Sequence, residues 1–88
     1  MSGVTSSPET QPRQLFARHA RKDVRVVAVL RALESADGCI VESEVFPAGS
    51  SQATRPGPYR FADAAQATAF VTEAVEALIY LGCEVQAA

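Results

Sequence analysis

Few residues in this chain are of a type that does chemistry. His19 is its single histidine, Cys39 and Cys83 are its only thiols, and Ser50 and Ser51 form a hydroxyl pair in a Pro- and Gly-rich stretch. A histidine beside a cysteine can serve as base and nucleophile, but that pairing needs a third group to orient the ring, and His19 stands instead in the basic run RQLFARHARK. A structural zinc site takes four ligands with close Cys or His spacing, whereas here no CxxC occurs and only three soft ligands exist. Neither a glycine-rich phosphate loop nor a GxSxG elbow is present. Glu73 and Glu76 are the one close pair of carboxylates on the long helical segment, and they fall on its polar side. The reading is therefore of a non-enzymatic protein with no catalytic residue, cofactor or metal. The two thiols are read as small buried apolar groups.

Charge offers a second chemistry. From 13 to 31 the chain has six basic residues against one acidic, and from 32 to 88 it has two against eight, for an overall charge of −2. Arg13, Arg18, Arg21, Lys22 and Arg25 are the candidate anion-binding group, able in principle to meet phosphates. The alternative is a solvated basic segment that lies against the acidic remainder of the fold. The order of a helix-like segment, strands and a helix superficially resembles the double-stranded RNA-binding domain. Arg60, Phe61, Ala62 and Asp63 stand before the last helix, where that family carries a lysine cluster, so nucleic acid is not the expected partner.

The element that must position everything else lies between 63 and 82. On a helix at 100° per residue, Ala67, Phe70, Val71, Ala74, Val75, Ala77, Leu78, Ile79 and Leu81 fill one arc of about 200°. Asp63 has the type of an N-cap, Gln66 completes a capping box, and Gly82 with Cys83 reads as a Schellman stop. The centre of the arc is expected on Phe70, Ala74, Leu78 and Leu81. Val71, Val75 and Ile79 then form a ridge at its margin, available to a partner.

Before this helix, DVRVVAVLRALE fits both helical and strand periodicity, and its β-branched residues favour a strand. SADG turns the chain and CIVESEVF alternates as a second strand, so the two form a hairpin with Arg25 and Arg31 facing Glu42 and Glu44. PAGSSQATRPGP is a loop over 47 to 58, and Tyr59 to Ala62 is a short strand with Tyr59 and Phe61 on one face. CEVQA after Gly82 suggests a last strand, parallel to the one before the helix through a βαβ crossover. Residues 13 to 22 are expected as a short helix or an irregular lead-in, and 1 to 12 as a disordered tail.

The expected fold is a single α+β domain over 13 to 88. Its antiparallel-dominated sheet of about four strands, made of the hairpin, the short strand and the C-terminal strand, packs on one long C-terminal helix. If 24 to 34 were helical, the order would be α-β-β-α-β. With no apolar run long enough to span a bilayer and no signal-peptide pattern, a cytoplasmic location is expected, without membrane association. The expected function is a protein-interaction or assembly module that forms a homodimer or docks an unknown protein partner through Val71, Val75 and Ile79. The alternative is nucleic-acid or anionic-ligand binding through 13 to 31.

Overall fold

Three valines in five residues settle the ambiguous segment as a strand, since β-branched side chains suit a pleated surface and crowd a helix. The computed structural model describes residues 12 to 50 and 52 to 88. Along it run β1 (Arg13–Lys22), β2 (Arg25–Ser35), β3 (Gly38–Val45), β4 (Tyr59–Phe61), α1 (Ala64–Tyr80) and β5 (Glu84–Ala87). The strands form one antiparallel sheet in the order β4-β3-β2-β1-β5, and α1 packs on one of its faces. The α+β class and the hairpin of β2 with β3 are as expected, with Ser35 paired to Gly38 across the turn. Apart from Pro12, the expected N-terminal tail lies outside the described residues.

The sheet has a fifth strand that the sequence reading did not contain. Residues 13 to 22 are neither helix nor irregular lead-in but the ten-residue strand β1, paired with β2 on one side and with β5 on the other. A lone ten-residue helix is marginal in water, whereas two ladders satisfy this backbone from both sides. Its link to β2 is a two-residue turn closed by the Lys22 and Arg25 pair, in which Asp23 takes φ 59°. Aspartate tolerates that left-handed conformation better than most residues, so no glycine is needed.

β5 is also placed differently. It runs in the same direction as β4, but it joins β1 at the opposite edge of the sheet, and three strands separate the two. α1 thus carries the chain across the whole sheet rather than to a neighbouring strand. Its ends are set as read: Asp63 Oδ1 accepts the Gln66 amide at 2.9 Å, and Gln66 Oε1 accepts the Ala62 amide at 3.1 Å. At the other end the Cys83 amide donates to Leu78 O at 3.0 Å and the Gly82 amide to Ile79 O at 2.9 Å, with Gly82 at φ +95°. These are the two bonds of a Schellman motif.

The core between α1 and the sheet is built of small side chains. Leu30, Ala32, Cys39, Val41, Ala67 and Val71 form the buried cluster, and Val41 is the largest side chain fully enclosed. Ala67 and Ala32 are both fully buried, which lets the helix approach the sheet closely. At one margin Phe70 stacks with Tyr59 and Phe61, at ring separations of 5.0 and 5.2 Å. Such pairs add about 0.5 to 1.5 kcal/mol each beyond their buried area.

Candidate interaction surface

The helix sits rotated from the expected orientation. Val71 is only 3% exposed and belongs to the core, so it is not on an exposed ridge, and Val75 packs half-buried against the same cluster. Leu15 and Phe16 of β1 pack there too, so the chain covers most of that ridge itself. Of the three candidate interface residues, Ile79 alone stays open, at 55% exposure. Leu81, assigned to the centre of the packed face, is 62% exposed. The stripe turned to the sheet centres on Ala67 and Val71, with Ala74, Val75 and Leu78 packed beside them.

The five candidate anion-binding residues do not converge. Arg13 pairs with Glu34 at 2.8 Å, while Arg18 lies over the Phe16 ring at 4.9 Å and donates to the Ala17 carbonyl at 2.8 Å. Arg25 donates to the carbonyls of Phe46 and Pro47 at 2.8 and 2.7 Å. Arg21 and Lys22 follow each other on β1 and so point to opposite faces of the sheet. His19 is on the face away from α1, across from Val29 and Gln86, whereas Cys39 is in the core under the helix. Histidine and thiol are not brought together, and both cysteines are free. Burial, with the Glu34 and Asp63 carboxylates nearby, pushes the Cys39 thiol above its ordinary pKa, which leaves it poorly nucleophilic.

Loop 47 to 58 is tied to the edge of β3. Val45 and Thr54 exchange two backbone hydrogen bonds of 2.8 Å, and the Ser43 hydroxyl donates to Pro56 O at 2.9 Å. Glu44 accepts from Arg55 at 2.8 and 3.1 Å and from Arg31 at 3.1 Å. These guanidinium bonds, Arg55 first, hold the Glu44 carboxyl below the ordinary glutamate range. The Arg31 and Glu44 pair is the cross-strand contact the alternation suggested, while Arg25 takes backbone carbonyls instead. A shallow hollow of about 170 Å³ beside this cluster is walled by Arg31, Glu42, Glu44 and Arg55, equal in positive and negative groups.

The larger concavity is apolar. A groove of about 700 Å³ opens on the helix side of the sheet, at the end where β1 turns into β2. Ala28 and Val45 are its floor, Leu78, Leu81 and Cys83 one wall, and Phe46 with Ala48 the other. The β1–β2 turn closes one end, with Val24 at 93% exposure. Exposed apolar side chains are ordinary singly and meaningful when they cluster. The sequence marks Leu81 and Leu78 as apolar and its arc assigns both to the sheet, while Val24 reads as a strand residue. Periodicity has no means of showing that the helix covers only part of a five-stranded sheet.

No family model matches the chain, and neither a curated protein nor a solved structure matches it. Among the described residues, no helix is long and apolar enough to cross a membrane and no group of three or more His, Cys, Asp or Glu side chains is placed to hold a metal ion.

Proposed function

We propose that this chain is a non-enzymatic interaction or assembly module that associates with itself. The observation that carries this reading is the apolar groove, with Val24, Val45 and Leu81 exposed in its lining. α1 crosses the sheet and touches β2, β3, β4 and β5, but at the end where β1 turns into β2 the helix-side face around Ala28 and Val45 is left without a lid. Burial of that surface is the driving force for association. The dispersal of Arg13, Arg18, Arg21, Lys22 and Arg25 gives the anion-binding alternative no comparable support.

Sedimentation velocity over a concentration series, at low and high salt, tests the proposal. The expected result is a concentration-dependent shift from monomer to dimer that persists at high salt, because apolar contact is not screened as charge contact is. A monomer at every concentration refutes self-association. Cytoplasmic location belongs to the same reading and is checked by fractionation of the native cells.

A further inference from the structure

We infer that the segment from Gln52 to Pro58 is a strap that detaches from β3 while the sheet stays folded, with the Arg55–Glu44 ion pair as its latch. It acts within one chain, whether or not that chain self-associates.

β3 is eight residues long, but β4 pairs with it only at Cys39, Ile40 and Val41. The other half of that edge is covered by the strap. Val45 and Thr54 form a single antiparallel bridge, each amide donating to the other's carbonyl at 2.8 Å. The Ser43 hydroxyl donates to Pro56 O at 2.9 Å, and Arg55 reaches Glu44 at 2.8 Å. The open edge of a strand is a template for pairing with another chain, so a cover over Glu42 to Val45 decides whether that template is presented.

Three features make this cover separable from the sheet. From Gln52 to Pro58 only Ala53 is even half-buried, so the strap gives up almost no apolar burial when it lifts. The latch is open to solvent, with the Arg55 side chain 73% exposed, whereas Glu44 keeps a second partner inside the sheet, Arg31 at 3.1 Å. Departure of Arg55 therefore leaves no enclosed carboxylate without a cation. The start of the same loop has anchors of its own: the Phe46 amide donates to Val27 O at 2.9 Å, and Arg25 donates to the carbonyls of Phe46 and Pro47. Adjacent amides, Val45 and Phe46, thus report on two different attachments.

Native-state hydrogen exchange over a urea series below the unfolding transition reads them separately, in wild type, Arg55→Gln and Arg60→Gln. Arg60 is exposed and in no ion pair among the described residues, so its variant controls for the loss of one surface charge. In wild type, Val45 and Thr54 are expected to exchange about tenfold or more faster than Phe46, at rates that urea leaves flat, because a local opening exposes little new surface. Arg55→Gln and high salt should each speed Val45 and Thr54 about two- to fivefold, and Arg60→Gln should not. If Val45 and Thr54 instead follow the urea dependence of Phe46, the strap opens only together with the sheet, which overturns the proposal. Flat exchange that neither Arg55→Gln nor salt accelerates removes Arg55 as the latch and overturns it as well.

Discussion

Gly38 packs against the backbone at Phe61: a Cβ added there would stand 2.7 Å from the Phe61 carbonyl oxygen, at a φ of +135°. The turn into β3 can therefore meet β4 only as glycine, and Cys39 then pairs with Phe61 in the ladder. Gly38→Ala should lose roughly 2 kcal/mol or more, from clash and backbone strain together. Gly49→Ala is the comparison, because nothing lies within 4 Å of its added carbon although its φ is +76°. Equal urea midpoints for the two variants would show that the close approach to β4 does not matter.

The ends of α1 make a second pair of variants. Asp63→Ala removes the acceptor of the Gln66 amide and should cost about 1 kcal/mol, with Asp63→Asn largely restoring it. Gly82→Val should cost more. The space around Gly82 is open, the nearest atom being Lys22 Cε at 3.8 Å, so its cost is the strain of a β-branched residue at φ +95°. Thermal midpoints that rank the other way would contradict the cap assignments.

Glu44 predicts an acid-labile contribution to stability. Its carboxyl titrates lower in the folded chain than when unfolded, because Arg55 and then Arg31 donate to it. The stabilisation is complete above the unfolded glutamate value of about 4.3 and is lost as pH falls through the lower folded value. Arg55 is 73% exposed, so added salt should shrink the effect. Urea midpoints measured from neutral pH downward should fall less steeply for Glu44→Gln than for wild type. Parallel curves would show that the cluster contributes nothing to folding.

The two thiols should differ in reactivity. Cys39 is 2% exposed with a raised pKa, while Cys83 is half-buried in the wall of the groove. Alkylation of native protein followed by mass spectrometry should label Cys83 first, and Cys39 at a rate set by opening of the sheet. Simultaneous labelling would mean that β3 and α1 separate readily.

Much of the fold was legible because local signals agreed. Asp63, Gln66 and Gly82 marked the ends of α1, and the valines of β2 with the Asp37-Gly38 turn marked the hairpin. β1 was illegible for two reasons: its turn at Asp23 and Val24 has no glycine, and Leu15, Phe16, His19 and Ala20 are spaced as on a helix. The place of β5 is hidden because pairing partners are chosen by the sheet as a whole, and its partner β1 does not read as a strand. Wherever the apolar arc of α1 was wider than its contact, pattern alone could not say which flank the sheet takes. Val71 is inward and Leu81 out, although hydropathy ranks the two alike.

Pairing between β1 and β5 joins positions about 70 apart in sequence, whereas β1, β2 and β3 are joined through two short reversals. Closing the longer loop has the larger entropic cost, so the meander is expected to assemble first and the four-residue β5 to zip on last. The same strand is then the first to peel. Each such excursion bares the backbone of β1 from Arg18 to Arg21, and the β5 of a neighbouring molecule is chemically identical to the one that left. Exchange of that strand between molecules is thus a hazard built into the order of the sheet, held in check by how quickly the native β5 returns.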